Sequence, residues 1–363
     1  MKQTEVRILA TYLPQFHPIP ENDKWWGKGF TEWTNVGKAK PLFKGHYQPR
    51  VPADLGYYDL RLPEIRQQQA DMAREYGIEG FCYWHYWFGN GKRLLERPFN
   101  EVLASGKPDF PFCLSWANHS WLDKQFSNQG TDRILIEQQY FGEDDYIAHF
   151  NTLLPAFKDK RYIRVDDKPL FQIYLPLRFP QVSKFIEIWQ GLAKQNGLNG
   201  IHFVGHTLHI EDFEIIRSKR FDAVNIVRLY HFFKQEYSLP QRAYIKMMRV
   251  WFRHGQIFDY RKVCKYFSGK EDEWEDCYPT IIPNWDHSPR SGRDGHIFIN
   301  SNPEAFKNHV KAVLETIKHK QYDHRIIFLK SWNEWAEGNY IEPDLKYGLG
   351  HLEALKEAIS EMH

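Results

Sequence analysis

Short apolar runs of strand length alternate with amphipathic stretches of helical length along this chain of 363 residues, and the alternation repeats eight times. Such a repeat is typical of a parallel sheet built from βα units, and eight of these units close into a barrel. The strand candidates are residues 6–13, 78–86, 110–117, 168–175, 201–207, 222–227, 278–283 and 326–332. We therefore expect an α/β fold, a (β/α)8 TIM barrel with long βα loops that forms a single domain over residues 1–363.

Helix-length segments separate these strand candidates, and two of the connections are long. The connection 14–60 is rich in Pro, Gly and Trp, whereas the connection 227–277 contains a basic helical stretch at 242–252. Because Trp, Tyr and His side chains are poorly suited to solvent, we expect the first connection to fold over the strand ends and to help form the site. The helix candidates are residues 62–76, 144–157, 182–196, 212–218, 303–319 and 351–362.

Charge and aromatic content indicate the class of ligand. The chain has 48 Lys and Arg against 46 Asp and Glu, so its net charge gives no strong field to attract nucleic acid or an anionic membrane surface. Aromatic residues make up 16% of the chain, and many of the 13 Trp lie beside Asn, His, Gln or Glu. Sugar rings have one apolar face and a rim of hydroxyls, which suits flat aromatic surfaces beside polar groups. We therefore expect an oligosaccharide or polysaccharide substrate and no nucleic acid.

Cysteine spacing and the distribution of apolar runs indicate the compartment. The four cysteines show no Cys-x-x-Cys spacing, so we expect buried free thiols, no disulfide framework and no zinc site. The first apolar run is too short for a signal peptide, and no run is long enough to span a membrane. These features predict a cytoplasmic protein without a membrane-spanning segment, and they leave its oligomeric state open.

The ends of the strand candidates are polar and aromatic, and in barrel enzymes the chemistry lies at the C-terminal ends of the strands. Trp side chains there offer surfaces for sugar rings, while His, Asn and Gln side chains can orient hydroxyls. No His-x-x-x-His on a clear helix and no His-Cys cluster occurs, so we expect neither a catalytic metal nor a cofactor. The candidate substrate-binding residues are Tyr12, Gln15, His17, Trp33, Trp84, His85, Tyr86, Trp116, Asn118, Trp121, Tyr174, His206, Trp285, Asn333 and Trp335.

Glu334 and Glu337 follow the eighth strand candidate and carry the most specific chemistry. A spacing of three on a helical or turn-like segment brings two side chains to neighbouring positions, roughly 5–6 Å apart at Cβ. Glycoside cleavage needs two such carboxyl groups, one to give a proton to the leaving oxygen and one to assist attack at the anomeric carbon. We predict that Glu334 and Glu337 are the catalytic residues.

Several longer segments resemble a known family. SWNEWAEGNYIEP, which begins at Ser331, closely resembles the catalytic stretch of glycoside hydrolase family 99, whose core is Glu-Trp-x-Glu. YLPQFHPIPENDKWWGKGFTEWTNV from Tyr12, GFCYWHYWF from Gly80 and LSWANHSW from Leu114 resemble the WbsX-like branch of that superfamily. The resemblance covers nearly the whole chain, and its motifs are long enough to be specific.

The resemblance implies a retaining mechanism through a 1,2-anhydro sugar. Glu334 would be the base that acts on the sugar's own 2-hydroxyl, and Glu337 would be the acid and then the base. An acid at neutral pH must keep its proton, so we expect Glu337 in the drier setting and polar donors around Glu334. The hydrolase branch cleaves internal α-mannosides, which makes an endo-α-mannosidase-like hydrolase the first expectation.

Two other functions stay open. WbsX-like proteins are commonly labelled glycosyltransferases, so a glycosyltransferase of lipopolysaccharide, O-antigen or capsule biosynthesis is the main alternative. Against it, the sequence contains no Asp-x-Asp metal motif and no Gly-x-Gly-x-x-Gly phosphate cradle. A non-catalytic glycan-binding protein is the second alternative, and the carboxylate pair argues against it.

Overall fold

Eight parallel strands form the centre of the protein in the computed structural model, which describes residues 5–123, 133–252 and 256–362. Every strand overlaps one of the eight strand candidates, so the predicted (β/α)8 barrel is confirmed. The strands are β1 Arg7–Tyr12, β2 Gly80–His85, β3 Phe112–Trp116, β4 Lys168–Ile173, β5 His202–Thr207, β6 Ala223–Ile226, β7 Cys277–Ile281 and β8 Ile326–Leu329.

The barrel closes because every strand pairs in parallel with two neighbours. β1 pairs with β2 and with β8, which places Leu9 beside both Gly80 and Phe328. Pairing of Leu114 on β3 with Phe171 on β4 completes a circle that continues through β5, β6 and β7. Gly80 is required at its position, since a Cβ atom there would collide with a backbone carbonyl oxygen of the loop before β3.

The helices surround the barrel in the order that the sequence predicts. All six predicted helices form, with ends that differ from the predicted bounds by at most two residues, whereas Arg97–Ser105 and the short helices of the long connections were not expected. The α-helices of the described part are α1 Pro20–Trp26, α2 Glu32–Lys38, α3 Pro63–Glu75, α4 Arg97–Ser105, α5 Glu143–Phe157, α6 Val182–Gln195, α7 Phe213–Arg217, α8 Phe232–Glu236, α9 Leu239–Phe252, α10 Tyr260–Val263, α11 Ser288–Ser291, α12 Pro303–Ile317 and α13 Gly350–Ser360. Shorter 3-10 turns lie at Pro176–Arg178, Ile210–Asp212, Cys264–Tyr266, Lys270–Glu273, Gly292–Asp294, Tyr322–His324 and Trp335–Glu337.

Helix α12 shows how local sequence fixes these elements. Asn302 caps its N-terminus by accepting the Ala305 N–H at 2.9 Å, and Pro303 occupies the first turn, where its missing N–H costs nothing. One face carries apolar side chains at helical spacing, and burial of each contributes about 1.5–3 kcal/mol. The buried face consists of Phe306, His309, Val310, Val313, Leu314 and Ile317.

Side chains on the strands alternate between the barrel interior and the outer layer of helices. Inside the barrel, Ser115 donates to Gln172 at 2.7 Å, and Gln172 donates to Asn225 at 3.1 Å. Asn225 in turn donates to Thr280 at 2.8 Å, which completes a polar layer across four strands. Tyr174 lies two residues after Gln172 and therefore points into the barrel mouth above this layer.

Three of the predicted binding residues face the outer layer instead. Tyr12 donates to Gln69 of α3 at 2.7 Å, and His85 contacts His149 of α5 at 2.8 Å. Trp116 packs against the same His149, with 4.8 Å between the ring centroids. These side chains pack between strands and helices and do not face the mouth, which corrects their assignment to substrate binding.

Small strands brace the connections between the barrel elements. Arg164–Val165 adds antiparallel to β4, and Trp121–Asp123 pairs with Arg133–Ile136. In the long connection after β6, Gln256–Asp259 pairs in parallel with His296–Ile299. This connection and the loop after β7 share an apolar cluster, which consists of Val227, Leu229, Phe232, Phe258, Tyr260, Val263, Cys264, Phe267, Ile282, Trp285 and Phe298.

Three further features bear on the sequence predictions. The four cysteines are buried and are free thiols. Across residues 5–123, 133–252 and 256–362, no three His, Cys, Asp or Glu side chains are grouped so that they could hold a metal ion. Over the same ranges, no helix combines the length and the apolar composition that crossing a bilayer requires.

Candidate active site

The segment 333–340 turns back on itself at the C-terminal end of β8. Its two short strands enclose the 3-10 turn that carries Glu337, and Gly338 ends the turn at a φ of 57°. A Cβ atom on Gly338 would lie 2.6 Å from the Cβ of Asp286, so only glycine fits there. The Asp286 N–H donates to the Glu337 carbonyl at 2.7 Å, which fixes the turn to the loop after β7.

Glu334 is a buried carboxylate held by three donors. Its Oε1 accepts from Trp84 Nε1 at 2.6 Å, while its Oε2 accepts from Lys330 Nζ at 3.3 Å and from Asn339 Nδ2 at 3.5 Å. Burial raises the pKa of Glu334; the Lys330 ammonium opposes this rise and the Glu337 carboxylate adds to it. Glu334 is therefore a stronger base than an exposed carboxylate.

Glu337 is held by a cation from a different loop. Its Oε1 accepts from Arg290 Nη1 at 2.5 Å, and His287 Nε2 lies 3.8 Å from the same oxygen. Arg290 also donates to both oxygens of Glu32, at 2.9 and 3.0 Å, and Glu32 accepts the Ala336 N–H at 2.9 Å. Burial raises the pKa of Glu32 although Arg290 opposes this rise. Arg290 thus links helix α2 to Glu337.

The burial of the two carboxylates is the reverse of the expectation. The Glu334 side chain is 7% exposed, whereas the Glu337 side chain is 14% exposed. The prediction that Glu337 occupies the drier setting is therefore wrong, because the turn places Glu337 on the open loop side of the mouth. The prediction that polar donors surround Glu334 is confirmed by its contacts with Trp84, Lys330 and Asn339.

The cluster contains more carboxylates than cations. Its two cations are Lys330 and Arg290, and its three carboxylates are Glu32, Glu334 and Glu337. Burial by itself lowers the pKa of each cation, but the attraction of the carboxylates is larger, so the pKa of both Lys330 and Arg290 is raised. Both cations therefore stay charged at neutral pH. Because an uncompensated buried charge is costly, the excess carboxylate favours retention of one proton within the cluster. Such a cluster can give and take a proton.

Aromatic rings form the wall beside the carboxylates. Lys330 Nζ lies 5.9 Å from the ring centre of Trp84 and 5.5 Å from that of Trp285. The Tyr174 ring packs edge-on against Trp84 at 5.3 Å and lies 4.6 Å from the His206 ring. Burial, followed by the charge of Lys330, lowers the pKa of His206 to about 3, so this ring is neutral. The wall combines flat apolar surface with neutral polar groups, as a sugar ring requires.

The first long loop reaches the site through α2. Trp33 packs against Trp335, with 5.4 Å between the rings, and Glu32 binds Arg290. The Gln15 carbonyl accepts the Glu32 N–H at 2.9 Å, and the buried His17 contacts a backbone carbonyl of its own loop at 3.1 Å. The expected contribution of this loop is therefore confirmed, but Glu32 carries it, while Gln15 and His17 support the loop.

Two of the predicted asparagines tie loops together. Asn333 Oδ1 accepts the Leu13 N–H at 2.7 Å, and its Nδ2 donates to the Leu13 carbonyl at 3.0 Å. Asn118 makes the same pair of contacts with Leu175, at 2.7 and 3.0 Å. Both side chains are satisfied by backbone and hold the ends of neighbouring strands in register.

Three aromatic candidates line or support the mouth. Tyr86 is buried beside Trp121, with 5.1 Å between the rings, and burial followed by the Glu334 carboxylate raises its pKa. Trp335 donates to Glu342 at 2.6 Å, so it holds the turn from below. The Tyr86 and Trp121 rings extend the aromatic surface toward the loop after β3.

The sequence reasoning missed three charged residues of this site. Lys330 directly follows β8 and lies four residues before Glu334, so strand alternation would have placed it inward. Glu32 lies inside the segment GFTEWTNV, whose resemblance to a known family does not single out this carboxylate. Arg290 lies on the short helix α11, and no local pattern marks it as a partner of Glu337.

Known protein sequences match this chain over most of its length. The family described as Glycosyltransferase WbsX matches residues 8–355. The protein called Uncharacterized protein WxcX, in two strains of Xanthomonas campestris pv. campestris, is 37% identical over 360 residues. The alignment covers 97% of this chain and 49% of the relative, so this chain spans about half the length of the curated relatives it matches.

Solved structures share the barrel. A GH99 endo-alpha-mannosidase from Bacteroides thetaiotaomicron, in complex with Bis-Tris propane, has a TM-score of 0.61 at 14% identity, covering 98% of this chain and 97% of that one. A structure described as Glycoside hydrolase-like protein has a TM-score of 0.59 at 15% identity, covering 99% of this chain and 95% of that one. At such identities the likeness shows the fold.

Proposed function

We propose, from the premise that this chain belongs to the WbsX glycosyltransferase family, that it is a retaining glycoside hydrolase of the endo-α-mannosidase type. Family membership and the GH99-like barrel identify a glycan-active fold. The type of reaction is what we infer from the site. The observation that carries it is the carboxylate pair Glu334 and Glu337, each with its own cation, beside an aromatic wall. Since this chain spans about half of its curated relatives, the proposal concerns the chemistry of the barrel alone.

In the first step, Glu334 takes the proton of the substrate's 2-hydroxyl, and the oxygen attacks the anomeric carbon. Glu337 gives its proton to the leaving glycosidic oxygen as that bond breaks, which yields a 1,2-anhydro sugar. Burial makes Glu334 basic enough for this task, and Trp84 and Lys330 hold it in place. Arg290 shares its charge between Glu32 and Glu337, so it pulls less strongly on the proton of the acid.

In the second step, Glu337 takes a proton from water, and the resulting hydroxide attacks the anomeric carbon. The bond from that carbon to the 2-oxygen breaks, and Glu334 returns its proton to the 2-oxygen. Two inversions leave the product with the configuration of the substrate, and both carboxyl groups regain their starting state.

A glycosyltransferase is the second candidate, favoured by the description of the family itself. The same site would serve if a sugar nucleotide were the donor, with the nucleotide as leaving group, and the hydroxyl of an acceptor sugar replaced water in the second step. The two candidates then differ in the leaving group and in the molecule that Glu337 activates, while the role of Glu334 is unchanged.

The test is incubation of the purified chain with defined α-mannosides and with capsular and O-antigen oligosaccharides, each with and without sugar nucleotides. We expect cleavage without sugar nucleotides, with the retained anomer appearing first in time-resolved NMR spectra. The Glu334→Gln and Glu337→Gln variants are the matched controls. Product formation that depends on a sugar nucleotide would favour the transferase, and binding without turnover would leave a glycan-binding protein.

A further inference from the structure

Helix α9 exposes a row of large apolar side chains. Trp251 is 77% exposed, Leu239 73% and Val250 63%, and Tyr244 and Met247 are also exposed. At 3.6 residues per turn, these five side chains fall within an arc of about 140°. We call this set, Leu239, Tyr244, Met247, Val250 and Trp251, the outer face of α9. Contiguous exposed apolar surface of this kind indicates a binding surface.

The opposite face of α9 is attached to the protein. Ile245 packs against the apolar cluster of the connection after β6, which contains Phe232 and Phe258. A surface helix of a globular protein normally turns its apolar face inward and its polar face to water. In α9 the inner face is covered, and a second apolar face points to solvent.

The charge of this region selects the kind of partner. The helix carries Arg242, Lys246 and Arg249, and no Asp or Glu occurs between Glu236 and Asp259. The net charge of the whole chain is close to zero, so it does not show this local excess of positive charge. A second copy of the same helix would bring like charges together, which disfavours self-association through this face.

We propose that the outer face of α9 binds the surface of an anionic lipid bilayer. Its large apolar side chains, including Trp251 near the end of the helix, enter the boundary between headgroups and acyl chains. Arg242 and Lys246 lie beside them and pair with anionic headgroups. The helix lies on the bilayer and does not cross it.

The apolar cluster beneath α9 reaches the candidate active site. Ile245 of α9 packs against the cluster that also contains Trp285. The ring centre of Trp285 lies 5.5 Å from Lys330 Nζ in the candidate active site. Resting on the proposed function, this arrangement indicates a substrate class: a glycan attached to a membrane lipid.

Vesicle flotation with the purified chain tests the surface. We expect binding to vesicles of phosphatidylcholine mixed with phosphatidylglycerol, and weak binding to phosphatidylcholine alone. The double variant Val250→Ser with Trp251→Ser should bind at least about tenfold more weakly, because it removes two side chains that enter the bilayer. Arg242→Gln with Lys246→Gln should lose about tenfold on the anionic vesicles only. Leu62→Ser, at a site 51% exposed elsewhere on the protein, is the matched control and should bind normally.

Three results would overturn the proposed surface: no vesicle binding by the unmodified chain, equal binding by the Val250→Ser and Trp251→Ser double variant, or a dimer that this double variant dissolves. Circular dichroism of each variant checks that it is folded. Cleavage of a lipid-linked glycan in vesicles, compared with the same glycan released into water, separates the two proposals. Vesicle binding without any turnover would support the membrane-binding surface and reject the proposed hydrolase function. Turnover of the released glycan without vesicle binding would support the hydrolase function and reject the membrane-binding surface.

Discussion

The two carboxylates of the mouth are three residues apart, yet different parts of the molecule hold them. Glu334 is bound by Trp84 from the end of β2 and by Lys330, which directly follows β8. Glu337 is bound by Arg290, which comes from the loop after β7 and is itself held by Glu32 of the first long loop. The barrel therefore holds one carboxylate and the loops hold the other.

This difference has a consequence for the chemistry. Strand ends are fixed by the hydrogen bonds of the barrel, so the environment of Glu334 is tied to the fold. Loops accept changes that strands do not, so the environment of Glu337 can change without disturbing Glu334. The proposed base is therefore fixed by the barrel scaffold, and the surroundings of the proposed acid are set by the loops.

The largest effect is expected from removing either carboxylate. Glu334→Gln and Glu337→Gln keep shape and hydrogen bonding but remove proton transfer, so turnover should fall by at least about 10²- to 10⁴-fold. Binding should be largely kept. Steady-state kinetics with isothermal titration of substrate measure both quantities, and full activity of both variants would remove the site assignment.

Replacing Lys330 and Arg290 one at a time should affect Glu334 and Glu337 separately. Lys330→Gln leaves Glu334 without its counter-charge and raises its pKa further, so the acidic limb of the pH–rate profile should move to higher pH. Arg290→Gln releases Glu337, which then keeps its proton longer, so the basic limb should move to higher pH. A movement of about one pH unit changes the rate on that limb about tenfold or more.

The control for these two variants is Lys307→Gln, which removes a cation paired with Glu357 and Glu361 on the outer helices. Its pH–rate profile should match that of the unmodified chain. If Lys330→Gln and Arg290→Gln move the same limb, the two carboxylates do not have separate roles.

A pair of Trp→Phe variants compares the inward and outward faces of the strands. Trp84→Phe removes the N–H that donates to Glu334 and should lower the turnover number about tenfold, the worth of a hydrogen bond to a charged group. Trp116→Phe removes an N–H that donates to the Trp87 carbonyl and should reduce thermal stability only. Equal activity losses in the two variants would show that packing, not the contact with Glu334, limits the rate.

The smallest effect is a pH dependence of stability from Glu342, a buried carboxyl outside the mouth. It accepts hydrogen bonds from Gln69, Tyr58 and Trp335, and burial raises its pKa from 4.5 to about 7 despite these donors. Because the pKa is higher in the folded state, its stabilising contribution is full below the unfolded value and is lost as pH rises through the folded value. The free energy of unfolding should fall by about 1 kcal/mol between roughly pH 6 and 8.

Urea denaturation across this range measures that change. The variant Glu342→Gln cannot lose a proton there, so its stability should vary less with pH than that of the unmodified chain. An unchanged pH dependence in this variant would assign the effect to other groups.

The fold could be predicted because apolar runs and helical stretches alternate along the whole chain. Every strand candidate overlaps a real strand, and long helices such as α12 differ from their predicted bounds by two residues or fewer. Helix α4 is absent from the predicted helices although its buried apolar side chains Phe99 and Val102 lie at helical spacing. The local sequence pattern and the closure of the barrel favour the same structure, so a fold of this kind can be predicted from the sequence.

The site could be predicted only in part, for two physical reasons. Strands of a parallel barrel are buried on both faces, so Trp84, which faces the mouth, and His85, which faces α5, carry no polarity contrast. The charged partners Arg290 and Glu32 come from loops far apart in the chain, and no spacing rule joins them to Glu337. The carboxylate pair itself was found because both members lie in one short segment after one strand.

The account is tested most directly by the rate at which each Gln variant cleaves an α-mannoside with an activated leaving group. Such a group leaves without protonation, so Glu337→Gln should regain much of its activity. Glu334→Gln should stay inactive, because nothing else removes the proton of the 2-hydroxyl. Recovery of Glu334→Gln to the same degree, or recovery of neither variant, would contradict the assignment of Glu334 as the base and Glu337 as the acid.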